Sequence, residues 1–372
     1  MVFDLASKNF LFVTFGRVGS AALHGVFYLM FAILLDPESY GNLSYLIALA
    51  GTFSVISRFG LNQSIIVYQA KKNQVLVNQV NVLAVITTAI ASIILIPINI
   101  FAALVCFASS LLIMNLYNQL GLKKYKRYMA YEISKGILVI ALSLGFYYVL
   151  DIHGILLGMA IGYFLFSFNF FRSINLKIKS FNLIRNNYKV LFHNFGVDAS
   201  INLTRFADKL LIVPLLGFTV VGIYQLNLQI LVALETIPIA LHAFLLSEES
   251  SGKKHKKIVL ISLTASVIIA SFVIIASPFF IEEFFPKYSD GIFSLQILIL
   301  SIIPLSIGAI FTAKLQAKES TLVGYVAIIR IGSLLALIFI LGSSYGLVGL
   351  SFAILISVII NAIFLWILNK KS

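Results

Sequence analysis

Apolar runs of about 20 residues, long enough to cross ~30 Å of hydrocarbon as a helix, occur twelve times in this chain. They fall near 10–35, 41–59, 76–96, 100–120, 129–150, 153–171, 191–216, 219–246, 257–280, 291–313, 321–341 and 345–368. What separates them is short and polar or helix-breaking: DPESYG at 36–41, Pro97, and DIHG at 151–154. A polar tail follows the second run and blurs its end. Repetition at this length predicts an all-α polytopic membrane protein with about twelve transmembrane helices.

Composition agrees. Hydrophobic residues make up 60% and charged residues 11% of the 372, with mean hydropathy +1.02. A soluble domain is roughly half apolar and a quarter charged. The formal net charge of +13 matters through its placement. With successive runs on alternate sides, one side receives 21 of the 27 basic residues, including Lys8, Arg58, Lys71, Lys72, the 123–127 and 253–257 clusters, Lys370 and Lys371. The other side receives Lys287, alongside Asp36, Glu38, Asp151, Glu282, Glu283 and Asp290. Basic loops stay cytoplasmic, so both termini are expected inside, in a cytoplasmic (inner) membrane. A miscounted span would scramble this sorting. No cleavable signal peptide is expected, because MVFDLASKNF leads directly into a full span.

The two halves resemble one another. LLDPESYGNLSYL at 34–46 matches LLGFTVVGIYQLNL at 215–228, which equates Gly41 with Gly222 at a shift of 181. TFGRVGSA and NFGVDASI share a Phe-Gly step at a shift of 180, and HGILLGMAIGY resembles YGLVGLSFAIL near each half's end. Six spans per half give both copies one orientation, related by an axis along the membrane normal. The expected organisation is two pseudo-symmetric six-helix lobes, 1–172 and 191–372, joined by a basic cytoplasmic linker at 173–190. Gly154, Gly158 and Gly162 are expected to let helices pack closely.

Candidate chemistry is confined to charges inside the spans. Cys106 is the only cysteine and the five histidines show no ligand spacing, so no metal site is expected. No hydrolytic carboxylate pair, serine triad, Walker loop or EF-hand loop occurs, so no cofactor, no nucleic acid and no enzymatic activity are expected. Asp198, Asn202, Arg205 and Lys209 follow helical spacings of four, three and four, which predicts one shared face. A charge at mid-membrane costs on the order of 3 kcal/mol, so this face should meet protein or a wet cavity. Either it is a neutralised structural cluster or it lines a cavity for a charged substrate. Arg17 and His24 lie on a polar stripe of the first span with Ser20 and Tyr28, and Arg330 is central in the eleventh. Basic residues gathered near a midplane suit an anionic substrate, above all phosphate. Glu235 and His242, seven apart with Pro238 between, are candidates for ion coupling. Asp208, near the outer end of the seventh span, is expected either to pair with Lys209 or to cap the helix packing, and Glu132 to pair with Lys135.

GRVGSAALHGVFYLMFAILLDPESYGNLSYL followed by GLNQSIIVY, together with FADKLLIVPLLGFTVVGIY, FFPKYSDGIFSLQIL and YGLVGLSFAILIS, resembles the polysaccharide biosynthesis proteins. These are the Wzx-type flippases of the multidrug/oligosaccharidyl-lipid/polysaccharide exporter superfamily. The resemblance implies a MATE-like, twelve-helix transporter moving a polyprenyl-linked oligosaccharide to the outer leaflet. It also implies that Arg17, Arg205, Lys209 and Arg330 face the diphosphate. Membrane lipids are expected partners, as are other polysaccharide-assembly proteins. A cation-coupled multidrug exporter of the same superfamily is the alternative, and a membrane glycan polymerase or ligase the more distant one.

Overall fold

The computed structural model describes residues 2–172, 174, 188–203, 206–250, 256–317 and 322–371. Among them there is helix and no strand. The helices are α1 (Val2–Leu34), α2 (Pro37–Arg58), α3 (Leu61–Ala70), α4 (Gln74–Leu95), α5 (Ile100–Gly121), α6 (Tyr125–Arg172) and α7 (Tyr188–Asn202). After these come α8 (Ala207–Leu234), α9 (Thr236–Ser250), α10 (Lys256–Phe284), α11 (Ile292–Ile299), α12 (Ile302–Ala317), α13 (Leu322–Leu337) and α14 (Ser343–Lys371).

Among the described residues eight helical stretches are long and apolar enough to cross a membrane, nine when the bent α2–α3 pair counts as one span. Three of them, of 40 to 44 residues, would be about 60 Å long if straight, twice the hydrocarbon core. Each contains one residue that leaves helical geometry: Asp151 (φ 52°), Gly217 (φ 81°) and Gly346 (φ 57°). Turning the chain at these residues adds three spans and recovers the expected twelve. The reversal is visible directly in α6. A Cβ on Gly154 would overlap the Phe146 carbonyl, one on Gly158 would overlap the Ser143 backbone, and one on Gly162 would lie 2.7 Å from Val139. These pairs are centred on Asp151, so α6 is a tight helical hairpin, with the three glycines supplying its contact line. The all-α polytopic membrane fold is thus in place. The α10 stretch shows why lipid is its solvent: mean hydropathy is 2.8, yet Phe272, Ile275 and Phe279 are 69 to 79% exposed.

The chain forms two compact units. The first comprises 1–27 and 46–207, the second 28–45 and 208–372. In the first unit α1 runs alongside the first arm of α6, with Gly16 against Met129 and Gly19 against Ile133. Its core is built by Leu61, Ile65, Val80, Leu111, Met114 and Phe170. In the second unit Ile212, Val221, Tyr224, Leu298, Leu350 and Ala353 form the corresponding core.

Two features depart from the sequence expectation. The second span does not end in a polar loop: after a 47° bend it continues as α3, whose Leu61 and Ile65 are buried in the core. The face predicted from Asp198 to Lys209 is also not continuous. α7 ends at Asn202 and α8 begins at Ala207. Between them Phe206 N–H donates to Leu203 O (3.0 Å) and the Phe206 ring lies over the bare α-carbon of Gly51. Asp198 and Asn202 share a face; Lys209 starts a new helix.

Candidate functional site: buried charges at a broken helix

The break between α2 and α3 organises the first unit's polar interior. Phe59 (φ 43°) and Gly60 (φ 73°) both occupy the left-handed region. Gly60 has a second reason to lack a side chain, because a Cβ there would run into the backbone of Asn194 and Phe195 on α7. The Phe59 ring stacks on Phe195 at 4.6 Å and fixes the same junction. Arg58 consequently ends α2 and Asn62 lies in the first turn of α3, so a cation meets a helix C-terminus and a carboxylate can meet an N-terminus.

That carboxylate is Asp198. Arg58 and Asp198 are 2% and 1% exposed, with Arg58 Nη2 3.7 Å from Asp198 Oδ2. Asn62 Nδ2 donates to Asp198 Oδ1 at 2.9 Å and Asn202 Nδ2 at 3.0 Å. Arg58 Nη1 donates to Ser54 Oγ, which is linked to Ser110 Oγ at 2.8 Å. Arg58 Nε, Asn62 Oδ1 and Asp198 Oδ2 have no hydrogen-bond partner within the protein. A sealed structural ion pair would use those atoms. This pair leaves Arg58 Nε and Asn62 Oδ1 unspent, and Asp198 Oδ2 engages Arg58 only as an ion pair at 3.7 Å.

Tyr117 of α5 ties this group to the first span. It lies within hydrogen-bonding reach of Asn62 and within electrostatic reach of Arg17, Arg58 and Asp198. Arg17 is exposed and hydrogen-bonds Tyr128, which also reaches Glu132. Glu132 in turn pairs with Lys135 at 2.5 Å, as expected. The structure therefore gathers Arg17, Asp198 and Asn202 with two residues that sequence reasoning missed, Arg58 and Asn62. Arg58 had been assigned to a cytoplasmic loop. The missed signal was the helical spacing of Leu61, Ile65 and Tyr68 beyond Gly60, which marks a second helix after a glycine break.

The second unit holds two polar groups. Lys209 Nζ pairs with Asp208 Oδ1 at 3.2 Å and Tyr224 Oη donates to Asp208 Oδ2 at 2.9 Å, a compact triad at 1 to 6% exposure. A cavity of about 270 Å³ is lined by Glu235, Pro238, His242, Thr312, Arg330 and Asn361, among others. Glu235 is the joint between α8 and α9, and His242 Nε2 lies 2.9 Å from Gln316 Oε1. Arg330, read from sequence as facing the substrate, thus lies with the two ion-coupling candidates. His24 is exposed and stacks on Phe27 at 6.5 Å. Arg205 lies outside the described residues. Among the described residues no cluster of three His, Cys, Asp or Glu could hold a metal.

At the polar end of the second span, Asp36 Oδ1 accepts from the backbone N–H groups of Glu38 and Ser39, both at 3.0 Å. The Ser39 amide above all holds this carboxyl below its ordinary value. With Pro37 opening the helix, Asp36 is the N-cap of α2.

No curated protein matches this chain. Among solved structures it is similar to lipid II flippase MurJ in an inward closed conformation, at TM-score 0.64 and 16% identity, covering 97% of this chain and 87% of that one. It is equally similar to an inward-facing multidrug resistance MATE transporter of the MOP superfamily, at TM-score 0.64 and 15% identity over 94% of each chain. A MOP superfamily transporter from Pyrococcus furiosus, described as having a binding pocket of reversed polarity, matches at TM-score 0.59 and 14% identity, covering 98% and 95%. At these identities the likeness is one of fold. The family model for polysaccharide biosynthesis protein matches residues 6–243, nearly two thirds of the sequence. The chain is a multi-pass membrane protein with the fold of the MOP superfamily transporters, and it belongs to the polysaccharide biosynthesis protein family.

Proposed function

We propose that this protein is a flippase carrying a polyprenyl-(di)phosphate-linked oligosaccharide across the cytoplasmic membrane for surface polysaccharide assembly. The observation that supports it most is the Arg58–Asp198 pair with Arg17 beside it. Removing a guanidinium from water costs several kcal/mol, and Arg58 is held at 2% exposure with its Nε unspent. An anionic head group is the ligand that such donors suit, since guanidinium binds phosphate through paired N–H groups. Arg17, Arg58 and Arg205 would hold the phosphate, with His24, Asn202, Lys209 and Arg330 completing a cationic cavity. Asp198 is the resting counter-ion of Arg58. Glu235 and His242 would couple transport to an ion.

The mechanism is alternating access: lobes 1–172 and 191–372 rock about the central cavity while the lipid tail stays in the bilayer, with both termini cytoplasmic. Ordinary helices satisfy their own backbone, so the polar groups exposed by the α2–α3 break are tolerable only beside protein or a wet cavity. The test is complementation of a flippase-null strain. The wild-type chain is expected to restore surface polysaccharide, and charge-neutral substitution of Arg205 and Arg330 together, or of Arg17 and Arg58 together, to abolish it at normal expression. Restoration by both double variants would sink the cationic site. Drug resistance conferred by the wild-type chain without polysaccharide restoration would identify a multidrug exporter instead.

A further inference from the structure

We infer that two basic turns at one end of the first compact unit form a binding site for an anionic phospholipid. The phosphate is held by their lysines and the acyl chains lie against the apolar side chains that flank them. The site requires only that the chain spans a membrane, and it is independent of which substrate is transported.

The turns join α3 to α4 and α5 to α6, and both lie in the unit formed by 1–27 and 46–207. Their backbones repeat one another. Lys72 N–H donates to Gln69 O at 2.9 Å and Asn73 N–H to Tyr68 O at 3.0 Å; Lys123 N–H donates to Leu120 O at 3.0 Å and Lys124 N–H to Gln119 O at 2.9 Å. Each is the double cap that ends a helix through one left-handed residue, a place usually taken by glycine. Here the left-handed residues are Lys72 (φ 55°) and Lys123 (φ 58°). A lysine in that conformation crowds its own Cβ against the backbone, a strain that glycine would avoid.

The two caps are held side by side. α3 and α5 cross just before their ends: a Cβ on Gly121 would lie 2.6 Å from Gln69 Cβ and 3.1 Å from Ile66 Cα, and Gln69 Nε2 donates to Asn118 Oδ1 at 2.9 Å. Lys71 and Lys72 follow Gln69 by two and three residues, and Lys123 and Lys124 follow Gly121 by the same two and three. All four lysines are exposed, and none has a carboxylate partner among the described residues. The sequence from Leu61 to Tyr131 contains no acidic residue.

Neutralising the helix ends does not account for this charge. Each C-terminus carries about half a negative charge, so the four lysines leave about three positive charges over. Neither helix has a basic residue in its last turn; the lysines stand at the caps and beyond them, past the last carbonyls. Between the lysines the surface is apolar. Leu122 is 40% exposed at one turn, and Val67 and Val75 are 46% and 59% exposed at the other. Lysine set among exposed aliphatic side chains suits a phosphate that arrives with hydrocarbon attached. A free phosphate or an acidic protein would leave the apolar part of the surface unused. In the proposed orientation these turns meet the cytoplasmic leaflet, where anionic lipid is enriched.

The test titrates the full-length chain, in a neutral detergent, with phosphatidylglycerol or with phosphatidylcholine, and counts bound lipid by native mass spectrometry. The wild-type chain is expected to prefer phosphatidylglycerol. Each lysine near an anionic surface contributes about fivefold to binding, so Lys72→Gly with Lys123→Gly should weaken it roughly tenfold or more. The same variant should melt no lower than wild type, because the left-handed strain is gone. Lys71→Gln with Lys124→Gln, which leaves the left-handed positions alone, should weaken binding to a similar degree. Unchanged phosphatidylglycerol binding in both variants makes the lysines structural caps and overturns the site. Lys370→Gln with Lys371→Gln removes the same charge elsewhere and should leave binding as it was; an equal loss there reduces the effect to net charge and overturns it too. Glycerol phosphate, a head group without chains, should fail to displace the lipid, and displacement would refute the lipid as occupant. A chain that binds phosphatidylglycerol as expected but never restores polysaccharide upholds this site and refutes the proposed substrate.

Discussion

Replacing Asp198 by Asn is the sharpest test of the charge pair at the helix break. The substitution keeps the side chain's shape and can keep a carbonyl oxygen for Asn62 and Asn202, which donate at 2.9 and 3.0 Å. What it removes is the counter-charge 3.7 Å from Arg58 Nη2. At an effective dielectric near 20, two unit charges at that distance attract by about 4 kcal/mol. Removing one partner of a buried pair costs about 3–5 kcal/mol, because the other is left uncompensated. With a few degrees of melting temperature per kcal/mol, detergent-solubilised Asp198→Asn should melt on the order of 10 °C below wild type. Arg58→Gln should fall by a similar amount. The double variant should recover most of the loss, since neither charge then remains buried alone, giving a coupling energy of roughly 2 kcal/mol or more. Melting is followed by tryptophan fluorescence from Trp366 or by loss of the monodisperse chromatographic peak. Equal melting for wild type and both single variants, or strictly additive losses in the double, would refute the view that the pair is electrostatically tight.

Two further outcomes follow from geometry elsewhere. Gly154→Val places side-chain atoms where Phe146 O already stands, so the α6 hairpin must open; a loss of about 3 kcal/mol or failure to accumulate is expected, read as folded yield, while Gly145→Ala, with nothing near its Cβ, should be tolerated. For Asp36 the sign is set by its lowered folded value. Its capping contribution, about 1 kcal/mol, is fully present above the ordinary carboxylate range and fades as pH falls through the folded value. Asp36→Ala should therefore lower the melting temperature at pH 7, and the difference from wild type should shrink toward pH 3.

Much of the architecture was legible along the chain because lipid imposes a single requirement on every span. An apolar run of membrane length must be a helix that satisfies its own backbone, and the loops between such runs must carry the cytoplasmic charge. The close approach of Gly41 and Gly222 was not legible: the sequence likens the two positions without saying that they touch. The ion pairs of Asp208 with Lys209 and Glu132 with Lys135 were also visible as local spacings, since neighbours on one helix or its first turn need no fold to find each other.

What stayed hidden depended on partners far apart in sequence. Arg58 looked like a loop cation because hydropathy falls after Phe59, and nothing local says that α3 resumes beyond Gly60 or that Asp198, 140 residues later, supplies a counter-charge. The face drawn from Asp198 to Lys209 assumed an unbroken helix. No proline or glycine warns that one helix ends at Asn202 and the next begins at Ala207. Arg330 likewise carries no mark that Glu235 and His242 share its cavity. The basic and acidic residues inside the spans announced by themselves that this membrane protein hides charge. Which charges meet was decided by tertiary structure, because burial and pairing energies are properties of three-dimensional neighbours that helical periodicity cannot encode.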